Sequence, residues 1–251
     1  MKVASNLMVE IPTLRYDEYV TKARSVLRDD VFRELYIVDE KNRLMGYLDI
    51  SDVLRVMDTK SNVTVKGFIR EAAQVTPNTP LTEVGLAIMK ARTNSAAVVN
   101  EDGAYQGGVL FSELFPVLIS RRDIPGRVED VMSRQPVTCA PDDPIHRIYS
   151  LIVASGFIAF PVVQKKEAIG IISRRDLLRA GNVRISVKNQ ADTTVERAMT
   201  TPVISATPDD SLATASRLMV DHDISILPVV DERKRLVGVI DRHDVLSGRI
   251  P

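Results

Sequence analysis

Gly170–Asp176 reads GIISRRD, and the chain repeats this phrase in altered form three more times. The other copies are GYLDISD at Gly46–Asp52, GVLFSEL at Gly108–Leu114 and GVIDRHD at Gly238–Asp244. The glycine is kept in every copy, whereas the polar positions change. Because self-similarity at a near-constant period is the signature of a repeat architecture, the sequence predicts four copies of one structural unit.

The third and fourth units also match over a longer stretch. VEDVMSRQPVTCAPDD at Val128–Asp143 aligns without a gap with VERAMTTPVISATPDD at Val195–Asp210. The first two units are more diverged, and their corresponding apolar segments are Leu35–Asp39 and Ala96–Asn100. These two units are therefore recognised mainly by spacing and by the glycine phrase.

Each unit has the same predicted order of elements. A short strand is expected near Val137–Cys139 and near Ile204–Ala206, followed by a Pro-Asp-Asp segment in which Asp143 or Asp210 starts a helix. Two further strands and a short final helix complete the unit, which gives an α+β fold in the order strand, helix, strand, strand, helix. Because a unit of this size buries little surface alone, we expect the units to work in pairs.

The overall composition argues against some classes of function. The chain has 251 residues with 33 basic and 33 acidic side chains, so no general attraction to nucleic acid or to an anionic membrane is expected. No stretch approaches the roughly 20 apolar residues of a membrane-spanning helix, and the N-terminal residues do not resemble a signal peptide. Together these features favour a soluble cytoplasmic protein.

Few residues are candidates for catalysis. The histidines His146, His222 and His243 are scattered without the spacing of a metal site, and Cys139 has no evident partner. No pairing of a nucleophile with a base can be assigned. We therefore expect neither an enzyme nor a bound metal or cofactor.

The polar positions of the third phrase have two candidate roles. Ser173 follows a strand and precedes a helix, and Asp176 lies near the N3 position, so the pair is close to a capping box. On this interpretation the two residues only cap a helix. The alternative is a ligand site, because a helix N-terminus and a serine hydroxyl suit a phosphate. A carboxylate one turn inside the helix can accept hydrogen bonds from two ribose hydroxyls.

Taken together, the units resemble tandem cystathionine β-synthase (CBS) domains over nearly the whole chain. The resemblance implies four CBS repeats, with limits at residues 1–60, 61–122, 123–186 and 187–251. The family's repeats pack in pairs, which implies two pseudo-symmetric modules with ligand clefts between the paired repeats. Stand-alone archaeal and bacterial CBS proteins and the γ subunit of AMP-activated protein kinase share this fourfold arrangement.

In CBS domains the glycine phrase binds nucleotides, with the aspartate on the ribose and the serine or threonine on a phosphate. The resemblance therefore assigns the ribose hydroxyls to Asp176 and a phosphate to Ser173, with added positive charge from Arg174 and Arg175. The residues that it implies for the base slot are Thr138, Ala159 and Phe160, of which Phe160 fits a core position equally well.

The first and fourth phrases differ in ways that change the expected ligand. Asp52 and Asp244 keep the ribose carboxylate, but Asp49 and Asp241 stand where the third phrase has its serine. A carboxylate at that position repels a phosphate. These two clefts are expected to prefer a nucleoside, a cationic group such as a sulfonium, or no ligand.

The second phrase departs furthest from the pattern. Phe111 and Leu114 stand where its polar pair is expected. The second repeat is therefore predicted to keep the fold and to lack the ribose carboxylate. Fewer than four nucleotide sites are expected in the chain.

Two functions remain open on the sequence. The first is a ligand-sensing regulatory protein that binds an adenine nucleotide of the AMP, ADP or ATP class, or another adenosyl ligand such as S-adenosylmethionine. It would relay binding to a protein partner through a conformational change, and a homodimer is expected. The alternative is a structural or interaction scaffold whose clefts are vestigial.

Overall fold

The computed structural model describes residues 2–29, 32–56, 61–120, 124–179 and 193–247. The chain divides into two compact units, one from Met1 to Asp123 that also includes the residues from Leu246 onward, and one from Ile124 to Val245. Each unit contains two of the four glycine phrases. The predicted connector Gly181–Thr194 lies outside the described residues, apart from its last two positions.

The first unit holds two successive sets of strand, helix, strand, strand and helix. The first set is β1 (Thr13–Arg15), α1 (Val20–Asp29), β2 (Glu34–Val38), β3 (Leu44–Asp49) and α2 (Ile50–Arg55). The second set is β4 (Gln74–Val75), α3 (Leu81–Ala91), β5 (Ser95–Val99), β6 (Tyr105–Leu110) and α4 (Phe111–Ser120). In each set the first strand pairs parallel with the second, and the second pairs antiparallel with the third. The predicted α+β order is therefore confirmed in this unit.

The second unit repeats the helices and the antiparallel hairpins. Its elements are β7 (Ser133–Arg134), α5 (Ile145–Ser155), β8 (Ala159–Gln164), β9 (Glu167–Ser173), α6 (Arg174–Arg179), α7 (Leu212–Asp221), β10 (Ile226–Val230), β11 (Leu236–Asp241) and α8 (Arg242–Leu246). The hairpins β8–β9 and β10–β11 have matching registers, each with an irregularity opposite its glycine.

The predicted first strands of the third and fourth repeats are shorter than expected. Each is reduced to a single parallel bridge, Cys139 with Val162 and Ala206 with Val229. The Cys139 amide donates to the Pro161 carbonyl at 3.1 Å, and its carbonyl accepts from Val163 at 2.8 Å. Prolines flank both segments in the sequence, and a proline cannot donate to a strand ladder.

The aspartates of the Pro-Asp-Asp segments do not start the helices, so that prediction is wrong. Asp143 Oδ2 accepts a hydrogen bond from the Ala140 amide at 2.8 Å, and Asp210 Oδ2 accepts one from the Thr207 amide at 2.7 Å. Both aspartates therefore close the turn before the helix, as short acidic side chains commonly do. The N-cap of α7 is the next residue, Ser211.

The glycine that recurs in each repeat lies inside a strand rather than at a turn. Gly170 lies inside β9, and a segment from the fourth repeat crosses it, with the Thr200 amide donating to the Ile171 carbonyl at 2.8 Å. A Cβ atom on Gly170 would lie 2.8 Å from Met199 Sδ and 3.0 Å from the Thr200 carbonyl oxygen. The glycine is needed because a neighbouring backbone passes this closely.

The same crossing occurs at all four phrases. In each case the crossing segment comes from the other repeat of the pair and bonds to the residue after the glycine, and this glycine is Gly107 in the second repeat by strand register. The pairs are Arg70 with Tyr47, Val9 with Gly108, Ser133 with Val239 and Thr200 with Ile171. The two repeats of each unit thus exchange their first segments, which explains why they form pairs.

A buried polar network joins the two repeats of the first unit. The Glu34 carboxylate is 3% exposed and accepts hydrogen bonds from the Asn94 amide at 2.7 Å and from Ser95 Oγ at 2.7 Å. Ser95 Oγ also lies 2.7 Å from the Tyr36 hydroxyl. Burial raises the pKa of Glu34, the hydrogen bonds lower it, and the nearby Asp49 charge adds to the increase.

The raised pKa of Glu34 predicts that the stability of the chain depends on pH. Because the pKa of Glu34 is higher in the folded than in the unfolded chain, the unfolded state ionises first as the pH rises above about 4.5. The stabilising contribution of Glu34 to the free energy of unfolding is therefore completely present below that pH. It is lost as the pH rises through the pKa of Glu34 in the folded chain. In urea titrations from pH 4 to pH 7, Glu34→Gln should gain stability relative to the native chain as the pH rises. A stability difference that does not change with pH would contradict this prediction.

Candidate functional site

Ser173 and Asp176 form a reciprocal capping box at the start of α6. Asp176 Oδ2 accepts from the Ser173 amide at 2.8 Å and from Ser173 Oγ at 2.6 Å. In return, the Asp176 amide donates to Ser173 Oγ at 3.3 Å. The capping interpretation of these residues is therefore part of the structure.

The capping box leaves part of Asp176 available. The residue is partly exposed, and its Oδ1 atom accepts no hydrogen bond from the part of the chain that the structure describes. A carboxylate oxygen in this state can accept from hydroxyl groups of a ligand. Capping and ligand binding are therefore compatible roles for this one side chain.

Two of the predicted slot residues, Ala159 and Phe160, lie on strand β8, which pairs with the strand that ends at Ser173. Ala159 is the register partner of Ser173 and is 8% exposed. Thr138 directly precedes the bridge at Cys139 and is partly exposed. Phe160 is fully buried, with its ring 6.1 Å from that of Phe157 in an edge-on arrangement. Phe160 thus occupies a core position, whereas Ala159 lies directly across the hairpin from the box.

The two arginines after Ser173 have different surroundings. Arg174 is only 6% exposed, so it presents little surface to a ligand. Arg175 is partly buried, and this burial lowers the pKa of its guanidinium, with Arg179 acting in the same direction and Asp223 opposing it. Of the two, Arg175 is the better candidate for a contact with a charged ligand group.

The fourth repeat carries the same box with two carboxylates. The Asp241 amide donates to Asp244 Oδ2 at 2.9 Å, and the Asp244 amide donates to Asp241 Oδ1 at 2.8 Å. The neighbouring Arg242 is 4% exposed, and its guanidinium donates to the Met219 carbonyl at 3.2 Å. Arg242 therefore contacts the C-terminal half of helix α7, and its charge lies beside the two carboxylates in the sequence.

The first repeat differs, because a cation from the second repeat already binds its carboxylates. Arg70 Nη2 lies 2.7 Å from Asp49 Oδ1, and Arg70 Nε donates to Asp52 Oδ2 at 3.0 Å. Burial and the Asp49 charge raise the pKa of Asp52, while hydrogen bonds from Asp49 and Arg70 lower it. Burial alone would lower the pKa of Arg70, but the two carboxylates outweigh it and raise it.

In the second repeat, the prediction placed the glycine phrase one residue too late. Val98 pairs with Gly107 as Ile37 pairs with Gly46, and helix α4 follows Gly107 at the distance at which α2 follows Gly46. Gly107 also has a φ of +157°, close to the +150° of Gly46. Gly107 is therefore the counterpart of the other conserved glycines, and Gly108 is the residue after it.

This register corrects the predicted losses of the second repeat. Leu110, rather than Phe111, stands at the serine position, and Glu113, rather than Leu114, stands at the carboxylate position. Glu113 is exposed. Leu114 falls on a core position that is at most 2% exposed in every repeat, with Val53, Leu177 and Val245 as its counterparts.

Sequence reasoning missed Arg70 and Glu113 for different reasons. Arg70 reaches the first phrase from the crossing segment of another repeat, so nothing near Asp49 or Asp52 in the sequence points to it. Glu113 was hidden by the double glycine, which allows two alignments. The spacing to the following helix would have favoured Gly107 over Gly108.

Cys139, for which the sequence offered no partner, is a buried thiol. Burial raises the pKa of the Cys139 thiol to about 12, so the thiolate needed for a nucleophile is scarce at neutral pH. Within the described ranges, no group of three or more His, Cys, Asp or Glu side chains could hold a metal ion. The described helices are also all too short or too polar to span a bilayer.

Comparison with known protein families identifies the repeats. The family model described as the CBS domain matches residues 4–59, 128–182 and 195–249. The second repeat lies outside these matches but has the same order of elements. A CBS domain-containing protein of Bacillus subtilis, YhcV, is 33% identical over 47% of this chain and 81% of its own.

Similarity to one archaeal protein extends over the whole chain. Protein MJ1225 of Methanocaldococcus jannaschii is 24% identical, with 98% of this chain and 97% of the relative covered. Its crystal structure, described as a proposed archaeal homologue of g-AMPK, matches with a TM-score of 0.84 at 21% identity over 98% of this chain and 99% of the other. Other relatives are longer, and the chain spans 59% of MJ1404 and 44% of MJ0188.

A second solved structure also shares the fold. The structure of a conserved protein from Pyrococcus horikoshii matches with a TM-score of 0.67 at 19% identity, covering 98% of this chain and 99% of the other. At these identities the likeness concerns the fold alone.

Proposed function

Because the chain belongs to the CBS-domain family, we propose that it is a regulatory module that senses an adenosyl ligand. The ligand class is an adenine nucleotide such as AMP, ADP or ATP, or S-adenosylmethionine. The proposed site is the cleft at Ser173 and Asp176 in the second unit. Binding there is relayed to a protein partner, and the proposed state of the chain is a homodimer.

One observation supports this proposal most strongly. Asp176 combines a carboxylate oxygen without a hydrogen-bond donor among the described residues with a neutral hydroxyl, Ser173, at the N-cap. The carboxylate suits the paired hydroxyls of a ribose, and the neutral N-cap does not repel a phosphate. Among the four phrases, only the third has a hydroxyl at this position.

The second unit also offers the more suitable surroundings for a flat base. The positions equivalent to Glu34 and Ser95 in the first unit hold Ala159 and Ile226, and Ile226 is partly exposed. Small and apolar side chains at these positions favour a base slot. In the first unit the same positions are filled by a polar pair that is satisfied internally.

Relay to a partner requires a conformational difference that the ligand detects. A ligand shifts an equilibrium only by the difference in its affinity for the two states. The exchanged segments provide the physical connection within each pair, because Met199 and Thr200 of the fourth repeat cross β9 of the third. A ligand at Ser173 would touch both repeats and favour one packing of them.

The scaffold alternative makes a different prediction for ligand-dependent stability. A ligand that binds only the folded state at 100 times its Kd adds about 2.7 kcal/mol to the free energy of unfolding. We therefore expect at least one of AMP, ADP, ATP and S-adenosylmethionine to raise the melting temperature, with guanosine nucleotides as controls. A scaffold with vestigial clefts would show no shift with any of these ligands.

A further inference from the structure

Arg70 is the residue that most distinguishes the first pair of repeats from the second. It follows the 3-10 helix Val65–Phe68 at the start of the second repeat and crosses β3 of the first repeat. The backbones of Arg70 and Tyr47 exchange two hydrogen bonds, both of 2.9 Å. This pairing fixes where the Arg70 side chain begins, directly beside the first glycine phrase.

The Arg70 guanidinium is held on three sides. Its Nη2 atom contacts both Asp49 Oδ1 and Asp52 Oδ2, and its Nε atom donates to Asp52 Oδ2 at 3.0 Å. Its Cζ atom lies 5.1 Å from the centre of the Tyr47 ring, a cation–π distance. The Asp49 and Asp52 side chains are only 8% and 2% exposed, whereas that of Arg70 is 43% exposed.

The other repeats have no cation at this place in the fold. The residues that pair in the same way with the position after the glycine are Val9, Ser133 and Thr200. None of these side chains carries a charge. The residue at this crossing position is Thr200 for the third phrase and Ser133 for the fourth, whereas it is Arg70 for the first.

We propose that Arg70 is a built-in occupant of the first cleft, which takes the carboxylate oxygens of Asp49 and Asp52 that a ligand's hydroxyl or cationic groups would need. Arg70 is thus a specificity-determining residue. It holds the first pair of repeats closed without a ligand, and it leaves adenosyl binding to the second pair. The choice of ligand class rests on the proposed function, but the intramolecular contact does not.

The cost of displacing Arg70 explains why a ligand does not compete well for this cleft. A fork of two donors on carboxylates is stronger than a neutral hydrogen bond. Two carboxylates buried side by side would repel each other if the guanidinium left. A nucleoside offers only neutral donors, and a sulfonium offers a charge without a hydrogen-bond donor. Either ligand also loses translational and rotational entropy on binding.

The test is hydrogen exchange of the full chain, followed by mass spectrometry, with AMP and S-adenosylmethionine as probes. In the native chain, AMP should slow exchange in residues 170–179 and leave residues 46–56 unchanged. The informative variant is the double substitution Asp49→Ser with Arg70→Thr, made in a chain that also carries Glu34→Ala and Ser95→Ile. These changes reproduce the residues found at the equivalent positions of the second unit. In this variant AMP should also slow exchange in residues 46–56 by about tenfold, and calorimetry should show an added site.

Exchange in helix α3 (Leu81–Ala91), which lies in the same unit as the substitutions, should stay as slow as in the native chain and serves as the folding control of the double variant. Protection of residues 46–56 by either probe in the native chain would overturn the inference. So would a folded double variant that gains no protection there. If neither probe binds the native chain at all, the proposed function fails.

A variant without the positive charge of Arg70 tests its role in the first cleft independently of ligand binding. Arg70→Met should speed exchange in residues 46–56 by about tenfold, because the carboxylates lose their counter-ion. Unchanged exchange would show that Arg70 does not hold the cleft.

Discussion

Replacing Asp176 with alanine should lower the affinity for a phosphate-bearing adenosyl ligand by roughly tenfold to a hundredfold. The substitution removes the carboxylate oxygen proposed for the ribose hydroxyls, and hydrogen bonds to a charged group contribute about 1.5–3 kcal/mol. It also removes the acceptor for the Ser173 amide and Oγ, so a loss of about 0.5–2 kcal/mol in stability is expected. Calorimetric titration beside a urea unfolding curve measures both effects.

Asp244→Ala is the matched control for this experiment. It removes the same kind of capping bond, from the Asp241 amide at 2.9 Å, in the repeat whose N-cap is acidic. The two variants should lose similar stability, and only Asp176→Ala should lose affinity. Equal affinities in the native chain and in Asp176→Ala would show that Asp176 caps a helix and does not bind the ligand.

Gly46→Ala should cost more stability than the loss of either capping aspartate, Asp176 or Asp244. An added Cβ would overlap the Arg70 carbonyl oxygen and lie 2.6 Å from Ile69 Cγ2. The residue also has a φ of +150°, which side-chain-bearing residues rarely adopt. Overpacking costs about 1–3 kcal/mol and backbone strain about 1–3 kcal/mol, so we expect a loss of about 2–6 kcal/mol by urea unfolding.

Gly67→Ala provides the internal comparison. An added Cβ at Gly67 meets no atom within 4 Å, and the residue is exposed. The variant should keep its stability or gain about 0.4–1 kcal/mol, because alanine restricts the unfolded chain. Equal effects at Gly46 and Gly67 would contradict the close crossing at the first phrase.

Much of the fold could be predicted because the same sequence pattern occurs in four repeats. The glycine recurs wherever a neighbouring backbone crosses a strand, and the hairpin and short helix around it follow from local patterns. The pairing of repeats was predictable because each repeat is small. The reason for the glycine was not, because the crossing segments at Arg70 and Thr200 come from the partner repeat.

The candidate site was predictable only where its parts are neighbours in sequence. Ser173 and Asp176 form one local motif, and the structure joins them as expected. Arg70 and Asp52 lie in different repeats, and their contact depends on the exchanged segments. Glu113 required a choice between two adjacent glycines, which depends on where the following helix begins and is fixed by the strand register.

The central proposal concerns binding of an adenosyl ligand at Ser173 and Asp176, and native mass spectrometry tests it most directly. The freshly purified chain is measured as isolated and after addition of AMP or S-adenosylmethionine, together with Asp176→Ala and Asp244→Ala. We expect an adduct with the mass of an adenosyl ligand that Asp244→Ala retains and Asp176→Ala loses. The absence of any adenosyl adduct at saturating ligand, or an adduct unchanged in Asp176→Ala, would contradict the proposal.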